Sequence, residues 1–193
     1  MNSTGINILG LSGSLRSNSS NTVLLHALSS LLPEPAYLEV YDKLGHLPHF
    51  NPDTDNETAL AAVHDLRQKL AAADAVVFST PEYAFGVPGV LKNALDWVVS
   101  SGELNEKPVA AISASPLYGG GDKALHSLLL TLTALGTDKS GDSSYSIPSV
   151  YQKINAAGKI TDAETAGKLA SLMKALCEKA ERRKSRQNGE PVV

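Results

Sequence analysis

The chain has 193 residues but one cysteine, one tryptophan and only three phenylalanines. A lone thiol, Cys177, cannot close an intramolecular disulfide, and this usage is compatible with a reducing compartment. No charge of one sign dominates. Lysine and arginine total 17 against 20 acidic residues, giving a net charge of −3, which offers no electrostatic basis for holding nucleic acid or an anionic membrane surface. No apolar run approaches membrane-spanning length, and no charged-then-apolar leader opens the sequence, so the expectation is a cytoplasmic protein. Two phosphate-binding signatures are also missing. There is no Gly-Lys-Ser or Gly-Lys-Thr of a nucleoside-triphosphate loop, and Gly10 and Gly13 lack the third glycine of a dinucleotide loop.

What is present is a regular alternation. Ile6–Leu11, Ala36–Tyr41, Asp74–Ser79, Pro108–Ala114 and a segment within Ser143–Val150 read as strands. Between and after them, Thr22–Leu28, Thr58–Ala73, Val87–Ser100, Gly121–Leu135 and Asp162–Arg183 read as helices. Continuous apolar strands alternating with helices imply a parallel sheet covered on both faces. The expected fold is α/β, a three-layer flavodoxin-like arrangement. Its five-stranded parallel sheet has order 2-1-3-4-5, with a ligand crevice at the strands' C-terminal ends. Residues 1–183 form a single domain in this reading, and 184–193 a polar tail.

Three loops fall at that crevice. The first, Gly10 to Asn21, is rich in small hydroxyl residues and leads into a helix N-terminus. Exposed N–H groups, hydroxyl donors and the positive helix end suit a phosphate, and Arg16 adds a forked cation that matches phosphate oxygens. A capped serine-rich turn is the plainer alternative. The second loop, Thr80 to Gly89, holds Tyr83 and Phe85, two aromatics suited either to walling a planar ring or to packing against a neighbouring subunit. Pro81 and Pro88 stiffen it, and Pro88 suits the first turn of the next helix. The third loop carries Gly119, Gly120 and Gly121, which permit close backbone approach to a flat ligand or simply form a flexible turn.

The run Gly13-Ser14-Leu15-Arg16 through Ser19-Ser20-Asn21 resembles a signature of the NADPH-dependent FMN reductase family. So does Pro81-Glu82-Tyr83 followed by Pro88-Gly89-Val90-Leu91-Lys92-Asn93-Ala94-Leu95-Asp96-Trp97. That family includes bacterial quinone, azo-dye and chromate reductases, and the resemblance spans roughly Ile6 to Leu135. It implies non-covalent FMN, NADPH as hydride donor, a small-molecule electron acceptor such as a flavin or quinone, and a homodimer or homotetramer; the charge balance adds the expectation of no nucleic-acid or membrane partner. It further implies that Ser14, Arg16, Ser19, Ser20 and Asn21 hold the phosphate. Pro81, Glu82, Tyr83, Ala84 and Phe85 would line the isoalloxazine, with Ser115 and Gly120 at its far edge. Many members have Asn where Ala84 stands, so one side-chain contact is lost here.

Because the flavin supplies the redox chemistry, no acid–base dyad is expected. A non-catalytic flavodoxin-like electron carrier is the alternative reading, although such carriers tend to be strongly acidic. A flavin-free interaction module is a third. His46 and His49 flank Leu-Pro without companion ligands, so no metal site is expected. His64 reads as a surface residue and His126 as structural, and Cys177 reads as packing on the closing helix.

Overall fold

The computed structural model describes residues 5–56, 60–139 and 141–189. Five parallel strands form one sheet in the order β2-β1-β3-β4-β5. The strands are β1 (Ile6–Ser12), β2 (Ala36–Tyr41), β3 (Ala75–Thr80), β4 (Val109–Ala114) and β5 (Ser144–Ile147). The helices are α1 (Ser20–Leu28), α2 (Ala61–Ala72), α3 (Gly89–Asp96), α4 (Asp122–Ala134) and α5 (Ala163–Gln187). The sheet order and layering agree with the sequence reading. Helix α5 runs four residues beyond Arg183, and the expected helical start at Thr58 lies outside the described residues. Pro88 is the N-cap of α3 rather than a first-turn residue.

The central strands β3 and β4 are buried throughout, which is why their sequences AVVFST and VAAISA are continuously apolar or small instead of alternating. Successive side chains still point to opposite faces. Leu9, Leu11, Val76, Phe78, Val109 and Ala111 pack against α2, α3 and α4 on one side. Ile8, Ala75, Val77, Ala110 and Ile112 pack against α1 and α5 on the other. Cys177 belongs to this second core, and burial pushes its thiol up to about 11.

The long segment after β2 is fastened to the helices by polar contacts around Trp97. The Trp97 indole N–H and the Asn93 amide both donate to Pro48 O, at 2.9 and 2.8 Å. Phe50 N–H donates to Asn93 Oδ1 at 2.7 Å, and the Phe50 ring meets Trp97 edge-on with centroids 5.1 Å apart. Arg67 pairs with Asp55 at 2.6 Å. Asn93 and Trp97, the closing residues of the long signature, thus serve the fold by holding this segment.

Candidate active site

Parallel strands deliver all their following loops to one edge of the sheet. Here the apolar runs end in hydroxyl residues: Ser12 on β1, Ser79 and Thr80 on β3, Ser113 on β4. Those hydroxyls and one amide stitch the loops together. Asn21 is 3% exposed; its side-chain N–H₂ donates to Ala114 O at 3.1 Å, and its Oδ1 accepts from the Ser79 hydroxyl at 3.0 Å. Gly13 N–H donates to Ser79 O at 2.8 Å, joining the first loop to the second. A Cβ on Gly13 would sit 3.1 Å from Thr80 Oγ1 and 3.3 Å from Leu91, so a side chain here would push those neighbours back by a few tenths of an ångström. The second and third loops are joined by Glu82. Its carboxylate accepts from the N–H groups of Lys123 at 2.9 Å and Ala124 at 3.1 Å, filling the N-terminus of α4.

The N-terminus of α1 is different. Its N-cap, Ser19, makes no side-chain capping bond, so the first-turn amides are left without the usual hydroxyl acceptor. Ser14 and Ser19 are buried beside it, Ser20 is half-buried, and Arg16 is exposed. Among the described residues Ser14 Oγ accepts only a long bond from Arg16 N–H, 3.3 Å, and Ser12 Oγ pairs with Thr22 Oγ1 at 2.7 Å. An open helix N-terminus wrapped by hydroxyls and one arginine is a donor set made for a small anion, and a phosphate fits it.

Beyond the second strand-to-loop junction, Tyr83 and Gly86 exchange backbone bonds of 3.2 and 3.0 Å, closing a two-residue turn. Both turn residues have positive φ, 50° at Ala84 and 61° at Phe85. Neither N–H is used within the described structure, so two adjacent donors stand free at the tip. Tyr83 is 50% and Phe85 78% exposed. On the third loop, Gly120 is buried, with its carbonyl accepting from Ser113 Oγ at 2.9 Å and Ser146 Oγ at 3.4 Å. Ser115 is half-buried; its Oγ accepts from Leu117 N–H at 3.1 Å.

The twelve residues singled out from the sequence therefore converge on one edge, in three groups. Ser14 and Ser19 are buried and Ser20 half-buried around the α1 N-terminus, while Arg16, Tyr83, Ala84 and Phe85 are exposed. Asn21 and Glu82 spend their side chains on the loop-to-loop contacts, and the carbonyl of Gly120 does likewise. Pro81 and Ser115 line the half-buried margin. Sequence reasoning missed Ser79 and Ser113, although hydroxyls closing otherwise apolar strands were a usable signal. It also missed Leu117 and Tyr118, 72% and 96% exposed on the third loop. Among the described residues no group of three or more His, Cys, Asp or Glu side chains gathers to hold a metal. His126, read as structural, is exposed.

Residues 6–152 match the profile of the NADPH-dependent FMN reductases. The chain belongs to that family. It is 36% identical over 162 residues to an NAD(P)H-dependent FMN reductase of Pseudomonas aeruginosa, covering 83% of this chain and 87% of that one. It is 34% identical to an NADPH:quinone oxidoreductase of Arabidopsis thaliana over 179 residues, 89% of this chain and 90% of the other. Its fold matches the flavoenzyme FerB of Paracoccus denitrificans, an NAD(P)H:(acceptor) oxidoreductase, with a TM-score of 0.77 and 29% identity over 91% of this chain and 97% of FerB. The chain is thus an oxidoreductase of the FMN reductase type. No helix among the described residues is long and apolar enough to cross a membrane.

Proposed function

We propose that this oxidoreductase takes hydride from NADPH through FMN held at the loop edge and delivers the electrons to a quinone or a free flavin. The observation that carries this reading is the uncapped N-terminus of α1 at the same sheet edge as the Ala84–Phe85 turn, whose two amides bond to no described residue. When bound, FMN would supply the two-electron chemistry. The protein's work is to bind and orient. The hydroxyls of Ser14, Ser19 and Ser20, the first-turn amides of α1 and the Arg16 guanidinium hold the phosphate, while Asn21 fixes the loop that carries them. Pro81 and Tyr83 border the ring. The N–H groups of Ala84 and Phe85 present donors where reduction builds negative charge, a stabilisation that requires no titrating side chain. Glu82 acts by pinning the second loop to α4, and Ser115 and Gly120 shape the far margin.

Leu15, Tyr83, Phe85, Leu117 and Tyr118 leave an apolar rim exposed around the crevice. Such a rim supports a homodimer or homotetramer in which a second copy walls the acceptor site. A single buried thiol and the absence of strong surface charge are consistent with the cytoplasm.

Purified protein titrated with FMN should quench flavin fluorescence stoichiometrically and then oxidise NADPH with benzoquinone as acceptor, in ping-pong kinetics. Failure to bind FMN would sink the reading. Binding without NADPH oxidation, together with electron uptake from a separate reductase, would establish an electron carrier instead.

A further inference from the structure

At the opposite edge of the sheet, remote from the three loops, a cleft of about 690 Å³ opens between the C-terminal half of α5 and the segment entering β5. That segment is anchored where Asp138 N–H donates to Lys107 O at 2.9 Å and Val109 N–H donates to Asp138 O at 3.0 Å, at the start of β4. Lys179, Arg182, Arg183 and Arg186 line the cleft from α5, facing Glu106 and Asp138. Their spacing of three, four and seven residues from Lys179 sets all four cations on one helical face. The cleft carries two more positive charges than negative ones in a chain whose net charge is −3. None of the three arginines makes a hydrogen bond or ion pair with a described residue.

Favourable placement of cations at a helix C-terminus does not account for this stripe. That effect fades within the last turn, whereas Lys179 and Arg182 precede the final residue, Gln187, by two turns and more than one turn. Like charges three and four residues apart repel one another, so the arrangement works against the isolated helix. Burial and then the Arg183 charge lower the Lys107 pKa, and burial lowers that of Lys179, with Asp138 opposing and Arg182 adding to the fall.

We propose that this cleft is a second, non-flavin anion site that takes a phosphorylated small molecule. Guanidinium forks match phosphoryl oxygens in pairs, and three of them converge on a concavity large enough for a ligand of nucleotide size. The carboxylates of Glu106 and Asp138 on the facing wall disfavour a purely anionic polymer. Because the cleft lies at the strands' N-terminal edge, its occupation is independent of the flavin reading.

The test is calorimetric titration of the full-length, FMN-saturated protein with inorganic pyrophosphate in low salt. The expected result is one site whose affinity falls about 10-fold or more in Arg182→Ala/Arg186→Ala, falls in Arg183→Ala, and weakens several-fold between 50 and 200 mM salt. Arg16→Ala should leave it unchanged, and the cleft variants should keep wild-type FMN stoichiometry, which shows that they fold. No measurable heat, equal affinity in the arginine variants, or loss of binding in Arg16→Ala instead would each overturn the site. So would a poly-glutamate peptide that binds the cleft while pyrophosphate does not.

Discussion

The carboxylate of Glu82 sits on the N-terminus of α4, accepting from Lys123 N–H at 2.9 Å and Ala124 N–H at 3.1 Å. Helices α1, α3 and α4 begin at the three loops, and this contact fills the N-terminus of α4 while the N-cap of α1, Ser19, makes no side-chain bond. Glu82→Ala should uncap α4 and cost about 1–2 kcal/mol of stability in denaturant unfolding. It should also weaken FMN binding by releasing the second loop. Glu82→Gln keeps a neutral acceptor and should recover most of the stability. Equal stability of Glu82→Ala and the parent would show that the contact contributes nothing.

Asn21 makes a comparable link inside the protein. Replacing it with alanine leaves the Ala114 carbonyl and the Ser79 hydroxyl without their partner in a dry setting, at a cost of about 2–3 kcal/mol. Asn21→Asp is a sharper probe. It preserves shape and the acceptor for Ser79, but sets a carboxylate oxygen against the Ala114 carbonyl 3.1 Å away. Asn21→Asp should therefore be less stable at pH 7 than at pH 4, where a protonated carboxyl can donate to Ala114. Thermal unfolding at the two pH values, each relative to the parent protein, measures this.

Ala84 and Phe85 hold positive φ without being glycine or asparagine. An alanine in this region costs about 1 kcal/mol relative to residues that enter it freely. Ala84→Gly and Ala84→Asn should each raise the unfolding midpoint, Asn because its short amide tolerates the left-handed region. Neither should abolish FMN binding if the backbone N–H, rather than a side chain, is what position 84 offers. A fall in stability for both variants would contradict the turn geometry.

The fold was readable in the sequence because β3 and β4 are buried throughout and β1 at every position but Asn7, so all three appear as largely apolar runs. Strand β5 was harder: it has four residues, Ser144 to Ile147, with only Ile147 fully buried, so no periodicity marks it. The site was readable as a set of loops, since hydroxyls, glycines and aromatics concentrate there. Division of labour within it was not. The family resemblance alone places Asn21 and Glu82 at the cofactor, and the partners their side chains hold, Ser79, Ala114 and the α4 amides, lie 58, 93 and at least 41 positions away, beyond any local reading. Asn93 and Trp97 show the same limit, since their contacts with Pro48 span 45 and 49 positions.

Cys177 lies at 2% exposure among Leu169, Met173 and Leu176, and burial raises its pKa to about 11. The native thiol should stay unreactive toward a disulfide reagent at pH 8, with one equivalent appearing only on unfolding. Fast native labelling would mean that α5 opens locally. Cys177→Ala should cost about 1 kcal/mol through the small cavity it leaves.

Lys107 gives the pH dependence a definite sign. It is 3% exposed, and its ammonium donates to Leu70 O at 2.7 Å and Ala73 O at 2.6 Å, closing the C-terminal end of α2. Burial brings its pKa down from 10.5 to about 8. Between pH 8 and 10.5 the unfolded chain therefore binds more protons than the native one, so this residue makes stability rise with pH in that window. The gain is of order 2–3 kcal/mol if Lys107 acts alone. Tyr41 opposes it above pH 10, because burial and then its 2.9 Å bond to Asp65 raise the phenol above its ordinary value, keeping the native proton longer. Cys177 opposes it from about pH 9, since burial lifts the native thiol from 9.0 to about 11, and the lowered Lys179 adds to the rise. The part due to Lys107 is therefore read as the difference in unfolding free energy between the parent and Lys107→Met from pH 8 to 10. Lys107→Met should flatten the slope in that interval while lowering stability throughout, since the Leu70 and Ala73 carbonyls lose their donor. A slope unchanged in Lys107→Met would place the titrating group elsewhere.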